Sequence, residues 1–286
     1  KHLLARQRYE MIGRGHTTGA EIAATPRQTL VIWIAVGGWI AANVAGGLIG
    51  RIASGIITEV AGWRAVFVCF AFLTFGCAVL LWIALPHVAS AGAEKSWRRA
   101  YAGMLGHLAN RRLFGAFLIG GALFFGFIGA FTYLPFYLTG APFNLPQSLV
   151  AFAYLSYLAG VVVSPLSGRL SERISRRTLI AVGLLIAMAG ITLTMIPVLS
   201  FIVASLFILC TGMFTAQAVA PAFVNVVAPR AKGGAGALYL TFYYIGGTLG
   251  AVLPGLAWQS YGWPGVVASC LGAFALALAS NWLLCR

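Results

Sequence analysis

The chain has 286 residues, of which 60% are hydrophobic and only 8% are charged, and its formal net charge is +14. A soluble domain carries roughly 25% charged residues, so this composition excludes a water-soluble globular fold and favours an all-α, polytopic membrane helix bundle solvated by the lipid bilayer. The basic residues lie in short loops between apolar runs, which is typical of charges that orient a membrane protein rather than of nucleic-acid binding.

The chain begins with a polar, basic segment, residues 1–29, which lacks the apolar core of a signal peptide and is expected to be cytoplasmic. Eight apolar runs follow, each long enough to cross a bilayer, which takes roughly 20 residues. The predicted spans are 30–58, 65–85, 113–138, 147–167, 178–197, 200–228, 235–258 and 264–285.

Basic residues are concentrated in alternate connections between these spans. Three loops, of which 86–112 is the longest, hold eleven of the Lys and Arg residues. If the spans alternate in direction, 17 of the 19 basic residues lie on one side of the membrane, and Arg51 and Arg64 are the exceptions. Basic residues favour the cytoplasmic side, so we predict a multi-pass protein with both termini in the cytoplasm. Within the longest loop, residues 97–113 are predicted to include a short amphipathic helix along the membrane surface.

A stretch of eighteen residues at 46–63, GGLIGRIASGIITEVAGW, is repeated 200 residues later at 246–263 as GGTLGAVLPGLAWQSYGW. Six positions are identical when the two copies are aligned without a gap. Glycine at these spacings lets two apolar helices approach backbone to backbone. A glycine-rich helix used twice suggests a transporter built from two similar halves, and the alternative is a chance match in a glycine-rich chain. The predicted helix-packing glycines are Gly46, Gly47, Gly50, Gly55, Gly246, Gly247, Gly250 and Gly255.

The repeat also predicts spans that the sequence does not contain. If the repeat continues at the same offset of 200 residues, the span 200–228 should have an equivalent span at about residues 1–28, but that segment is polar. We therefore expect the last two helices of an N-terminal half at 30–85, a cytoplasmic interdomain loop at 86–112 and a complete six-helix C-terminal half at 113–286. On this interpretation four spans are absent, and the alternative is a natural eight-span protein.

The loop 168–177 reads GRLSERISRR, and Glu172 is its only acid among four arginines. An ion pair that forms in one arrangement of the helices and breaks in another would bias a conformational switch, whereas the plain alternative is an ordinary basic loop. The segment resembles the loop signature of the major facilitator superfamily, G-x-L-[AS]-[DE]-R-x-G-R-[RK], and departs from it at Ser175, where glycine is usual. The resemblance assigns a cytoplasmic gating motif to Gly168, Leu170, Glu172, Arg173, Arg176 and Arg177, with Ser171 also matching.

The resemblance implies a secondary transporter of twelve spans, of which this chain would be the C-terminal two-thirds. In that family the motif lies between spans two and three of each half, and the glycine-rich helices resemble spans five and eleven. The run 230–263 is similar to the YnfM-type branch of inner-membrane transporters, near the sugar-efflux and drug:proton antiporters. It implies efflux of a small-molecule solute from the cell across the inner membrane, with protons as a possible coupling ion. The alternative is a non-transporting structural or regulatory membrane protein, or an inactive fragment.

Several polar residues inside the spans are candidates for lining a solute cavity. A charge such as that of Arg51 within an apolar helix is costly and usually faces a bundle interior or a water-filled cavity. It could bind an anionic substrate, pair with a carboxylate on an absent helix, or cap backbone carbonyls. Gln217 and Asn225 lie on one span and could bond a solute or a neighbouring helix. The full set is Arg51, Asn43, Tyr133, Gln217, Asn225 and Tyr243.

The sequence offers no catalytic constellation. It contains no nucleophile–base pair, no cluster with metal-ligand spacing and no phosphate-binding loop. We therefore expect neither an enzyme nor a bound cofactor or metal.

Overall fold

The computed structural model describes residues 46–47, 49–58, 60–84, 97–228 and 232–285. The segment 1–29, most of the predicted span 30–58 with Asn43, and residues 85–96 lie outside the described residues. The helices are α1 (Ile49–Thr58), α2 (Trp63–Ala84), α3 (Trp97–Gly106), α4 (Arg111–Thr139), α5 (Leu158–Leu170), α6 (Arg176–Leu193), α7 (Leu199–Val227), α8 (Lys232–Tyr261) and α9 (Trp263–Leu283).

The polypeptide reaches α5 through two further helical pieces. A single turn at Gln147–Val150 leads into a 3₁₀ segment at Ala151–Tyr157, which continues directly into α5. Counting the 3₁₀ segment with α5, seven helical stretches within the described ranges are long and apolar enough to cross a membrane. The predicted all-α membrane bundle is confirmed, with six of these stretches between Arg111 and Leu283.

Polar N-caps make α4 and α6 begin two residues before the predicted apolar runs. Helix α4 begins at Arg111 instead of 113, since the Asn110 side chain accepts hydrogen bonds from the backbone N–H groups of Arg112 and Leu113, at 3.0 and 3.4 Å. Hydropathy alone places the boundary at the first apolar residue and so omits the charged first turn.

The loop 86–112 contains the predicted short helix. Helix α3 occupies Trp97–Gly106, and a 3₁₀ turn at His107–Ala109 separates it from α4. Its Met104 lies against α8, since a Cβ added at Gly234 would be 3.4 Å from the Met104 Cα. The position of α3 on the membrane surface remains a prediction.

Helix α4 packs closely against α8 through glycines of the second repeat copy. A Cβ added at Gly246 would overlap the Gly121 backbone, and one at Gly250 would lie 2.7 Å from the Phe125 Cα. Side chains of α4 cover the other two predicted helix-packing glycines of this copy, the Phe124 ring over Gly247 and the Tyr133 hydroxyl over Gly255. The two helices are therefore in backbone-to-backbone contact, which only glycine permits.

A second close helix pair joins α6 to α7. A Cβ added at Gly183 would be 2.7 Å from the Gly212 carbonyl oxygen, and one at Gly190 would be 2.6 Å from the Leu209 Cα. Gly183 and Gly190 lie outside the two repeat copies, so the alignment of those copies did not identify them as helix-packing glycines. The α6–α7 pair is therefore also in backbone contact at glycine positions.

The two repeat copies end in the same backbone turn. Gly62 has φ +80° and Gly262 has φ +62°, and each lies between two consecutive helices. The N–H of each glycine donates to the carbonyl four residues earlier, on Thr58 at 3.0 Å and on Trp258 at 2.8 Å. Each glycine carbonyl then accepts a bond of 3.1 Å from the N–H three residues later. The duplication thus extends from residue identity to hydrogen-bond pattern.

The tryptophans that follow the two turns have different surroundings. Trp263 is 3% exposed, donates from Nε1 to the Thr194 hydroxyl at 3.0 Å and stacks on Tyr137 with ring centroids 4.8 Å apart. Trp63 is 58% exposed, and the Arg64 guanidinium lies 4.7 Å from its ring centroid. The local turn is duplicated, but the tertiary packing around it is not.

The first repeat copy and α2 lie on the outside of the described bundle. Among the described residues, no atom comes within 4 Å of a Cβ added at Gly46 or Gly55, and the nearest to Gly50 is the Phe70 ring at 4.0 Å. A Cβ at Gly47 would meet the Arg51 side chain at 3.7 Å and no other atom of the described residues. None of the residues of α2 is buried.

The turn at Gly262 yields a stability prediction. Its φ of 62° and ψ of −143° lie in a region that only glycine adopts readily, so Gly262→Ala should lower the unfolding free energy by about 1–3 kcal/mol. Thermal unfolding of the detergent-solubilised protein, followed by tryptophan fluorescence, measures the change. Gly272→Ala is the control, because Gly272 has space for a Cβ among the described residues and no positive φ. An unchanged Tm for Gly262→Ala would contradict the assigned turn.

Candidate functional site

The predicted gating motif forms a tight turn between α5 and α6. The Arg173 N–H donates to the Leu170 carbonyl at 3.0 Å, and the Glu172 N–H donates to the Arg169 carbonyl at 3.2 Å. The Ser171 hydroxyl bonds the Gly168 carbonyl at 2.6 Å. These bonds satisfy carbonyls at the end of α5 and hold the loop in a compact form.

Ser175, where the sequence departs from the family signature, is the N-cap of α6. Its hydroxyl accepts a hydrogen bond from the Thr178 N–H at 3.2 Å and lies 2.6 Å from the Thr178 hydroxyl. A cap is useful here because Arg176 and Arg177 place positive charge at the positive end of the helix dipole. The serine therefore replaces the usual glycine with a residue that stabilises the start of α6.

The charged residues of the motif differ in exposure. Glu172 and Arg173 are exposed, whereas Arg176 and Arg177 are half-buried. The Glu172 carboxylate therefore lies at the outer edge of the turn, in reach of solvent and of any segment that approaches it. The two arginines of the α6 first turn instead lie against the bundle.

Arg177 connects the motif to α9 by a reciprocal pair of hydrogen bonds. Its Nη2 donates to the Asn281 carbonyl at 3.4 Å, and the Asn281 side-chain amide donates to the Arg177 carbonyl at 2.9 Å. Asn281 is buried, and its Oδ1 has no hydrogen-bond partner among the described residues. The sequence reasoning missed Asn281, for which the only signal was a single amide near the end of an apolar run.

Arg51 lies against the 3₁₀ segment. Its Nη1 donates to the Gly47 carbonyl at 3.3 Å, and its guanidinium carbon is 5.0 Å from the Tyr154 ring centroid and 5.1 Å from that of Tyr157. Both distances are typical of cation–π contacts. The half-buried Arg51 thus connects the first repeat copy to the 3₁₀ segment that precedes α5.

Phenylalanine rings surround the same tyrosines. Tyr157 is 5% exposed, and its ring centroid lies 5.0 Å from that of Phe127, 4.7 Å from that of Phe131 and 6.5 Å from that of Phe214. We call Arg51, Tyr154, Tyr157, Phe127, Phe131 and Phe214 the Arg51 cluster.

Two other cavity candidates are linked through Tyr239. The Tyr239 hydroxyl donates to the Gln217 side-chain oxygen at 3.5 Å, and its ring stacks on Tyr243 with centroids 6.2 Å apart. Tyr243 stacks in turn on Phe124 at 3.9 Å, and Phe124 stacks on Phe127 at 6.3 Å. The Gln217 group therefore adjoins the Arg51 cluster through a continuous row of rings.

The remaining candidates lie elsewhere. The Tyr133 hydroxyl donates to the Ala251 carbonyl at 2.8 Å and so bonds α4 to α8. Asn225 is exposed, eight residues beyond Gln217 and thus about 12 Å further along α7. Asn43 lies outside the described residues. The structure brings Arg51, Gln217 and Tyr243 into one region and places Tyr133 and Asn225 apart from it.

Comparison with known proteins gives a family match over most of the chain. The model of the Major Facilitator Superfamily matches residues 34–215 and, a second time, residues 143–286. The chain is 28% identical over 253 residues to "Uncharacterized MFS-type transporter YybF" of Bacillus subtilis, a match covering 88% of this chain and 63% of that protein. It is 29% identical over 234 residues to "Inner membrane transport protein YnfM" of Escherichia coli, covering 81% and 56% of the two chains.

A third relative is an uncharacterized transporter of Buchnera aphidicola, 30% identical over 236 residues, with 81% of this chain and 56% of the relative aligned. The chain therefore spans about three-fifths of the length of the curated relatives that it matches.

Proposed function

Because this chain belongs to the Major Facilitator Superfamily, we propose that it is part of a secondary active transporter that exports small organic solutes by alternating access, with protons as the coupling ion. The observation that carries the proposal is the duplicated helix–glycine–helix turn, whose two copies share their backbone hydrogen bonds. Transporters with duplicated halves bind their solute between the halves and move one half against the other.

The proposed intact transporter has twelve spans in the bacterial inner membrane. Four spans would precede 30–85, residues 86–112 would connect the halves, and 113–286 would form the complete second half. The greater length of the curated relatives supports this division. The one-sided distribution of Lys and Arg supports cytoplasmic termini, including the segment 1–29.

The motif between α5 and α6 is the proposed cytoplasmic gate. The reciprocal bonds between Arg177 and Asn281 fasten the loop to α9, so the loop should move together with the second-half bundle. The exposed Glu172 is then free to pair with a basic group in one arrangement of the halves and to separate in the other.

The proposed solute path runs beside Arg51, Gln217 and Tyr243. Arg51 carries the charge, the Gln217 amide can donate and accept, and Tyr243 belongs to the row of stacked rings. A mostly aromatic lining with a few polar groups is typical of sites for small organic molecules.

Flux measurements on reconstituted vesicles test the proposal. The purified chain, and the longer gene product if the reading frame extends upstream, are placed in vesicles containing a pH-sensitive dye. Addition of a solute from a panel of small organic molecules should cause proton movement that protein-free vesicles do not show. A folded longer product that moves neither protons nor solute would exclude the transporter proposal.

A non-transporting membrane protein is the second candidate for this chain by itself. The observation that favours it is the absence of any buried residue in α2, with Trp82 85% exposed. Such a helix presents an uncovered apolar face that further spans would cover. If the longer gene product transports solute and this chain by itself does not, this chain by itself is a non-transporting membrane protein.

A further inference from the structure

The Arg51 cluster has the chemistry of an anion site with aromatic walls. Resting on the proposed function, we infer that it binds planar aromatic carboxylates: Arg51 binds the carboxylate, the Tyr157 hydroxyl donates a hydrogen bond to it, and the surrounding phenylalanine rings pack on the aryl group.

The first step of the argument is the charge of Arg51. Its guanidinium is half-buried in an apolar helix and contacts the Gly47 carbonyl and two tyrosine rings. Glu172 is the single acid in the part of the chain that the structure describes, and it lies beyond the far end of α5, about 20 Å along the helix from Tyr157. A guanidinium removed from water without a counter-ion is costly, and a bound carboxylate would supply one in bidentate geometry.

The second step is the unpartnered hydroxyl of Tyr157. The side chain is 5% exposed, and its Oη has no hydrogen-bond partner among the described residues. The neighbouring Tyr154 hydroxyl already donates to the Phe131 carbonyl at 3.3 Å. A buried polar group without a partner costs free energy, which a ligand oxygen would recover. Tyr157 is therefore the donor available beside the guanidinium.

The third step is the shape and chemistry of the surroundings. Rings of Phe127, Phe131 and Phe214 lie around Tyr157 in tilted and edge-to-face orientations. Aromatic pairs favour such arrangements, so a flat aryl group can replace or extend one of these contacts. Both tyrosines lie on a seven-residue 3₁₀ segment, an uncommonly long run whose weaker hydrogen bonds are typical of a functional hinge. Relaxation of this segment would separate the tyrosines from Arg51 and admit the ligand.

Binding of three matched probes to the purified chain in detergent tests the inference. The probes are 1-naphthoate, its neutral amide and the corresponding naphthylmethyl ammonium ion, with acetate as an anion that lacks a ring. We expect 1-naphthoate to bind at least about tenfold more tightly than each of the other three, since charge and ring both contribute. Preference for the ammonium ion, equal binding of the amide, or equal binding of acetate would overturn the inference.

Variants locate the site. Arg51→Gln should weaken 1-naphthoate binding by about 10- to 100-fold, and Arg51→Lys by less, since hydrogen bonds to a charged group are strong and lysine lacks the bidentate fork. Arg64→Gln is the matched control, because Arg64 makes a cation–π contact with Trp63 outside the cluster. Unchanged binding in a folded Arg51→Gln variant would overturn the proposal.

A pair of tyrosine variants gives a second test that does not depend on Arg51. Tyr157→Phe should weaken binding by about fivefold or more, because it removes the available donor. Tyr154→Phe should have the smaller effect, because that hydroxyl already bonds the Phe131 carbonyl. Equal effects of the two changes would contradict the assigned role of Tyr157.

These binding measurements need no proton gradient and no flux, so they are independent of the vesicle assay. Failure of 1-naphthoate to bind while another solute is transported would reject this inference alone. Binding of 1-naphthoate without any transport by the longer product would reject the transporter proposal alone.

Discussion

Gly246→Ala is expected to lower the unfolding free energy by about 3 kcal/mol, near the upper end for overpacking, although alanine alone would favour the helix by about 1 kcal/mol. The added Cβ would overlap the Gly121 backbone of α4, which has no rotamer to change. The overlap is relieved only if the helices α4 and α8 separate along their contact, which also loosens the neighbouring contact of Gly250 with Phe125.

The repeat supplies a matched control for this change. Gly46 is the equivalent position of the first copy, and no atom lies within 4 Å of its added Cβ among the described residues. For a bundle of this size Gly246→Ala should lower Tm by about 6–12 °C, whereas Gly46→Ala should leave Tm unchanged or slightly raised. Equal changes at the two positions would show that the assigned α4–α8 contact is wrong.

Glu172→Ala is expected to reduce solute transport by the proposed twelve-span transporter about tenfold without lowering Tm. An exposed carboxylate contributes little to folding stability, so its removal should leave the bundle intact. If its ion pair forms in only one arrangement of the halves, loss of about 1.4 kcal/mol from that arrangement changes the ratio of the two states tenfold.

Transport into vesicles and thermal unfolding, measured on the same preparations, separate gating from folding for this residue. Glu172→Asp keeps the charge and should retain most of the transport. Full transport by a folded Glu172→Ala protein would remove Glu172 from the gate.

The seven predicted spans from residue 65 onward agree with helical stretches of the structure to within a few residues, because the length of an apolar run is a local property. The predicted span 30–58 lies mostly outside the described residues. The helix ends needed one more local rule, since Asn110 and Ser175 cap helices that begin with two arginines each. Both caps are readable from residue type alone once the boundary is known approximately. The duplicated turn could also be inferred from the sequence, because a glycine directly after a helix favours this type of turn.

The tertiary partners could not be predicted, because they depend on how each helix is rotated about its axis. A helix that is apolar on all sides carries no periodic signal of which face meets which neighbour. Trp263 therefore reaches Thr194 and Arg177 reaches Asn281 across contacts that no spacing reveals. Tyr133 shows the same limit. As a polar residue within an apolar span it was a candidate for lining a cavity, but in the structure its hydroxyl donates a hydrogen bond to the Ala251 carbonyl.

The glycine contact between α4 and α8 restricts how these two helices can move relative to each other. A screw motion of α8 by one residue, which combines a translation of about 1.5 Å with a rotation of about 100°, would bring the side chain of Ile245 to the place where Gly246 now meets Gly121. No space exists there for a branched side chain. Small shifts of α8 against α4 are therefore opposed by backbone contact, so we expect the two helices to move together as one rigid body. Movement between helices is then expected where side chains alone make the contact. The contact between Arg51 and the tyrosines of the 3₁₀ segment is of this kind.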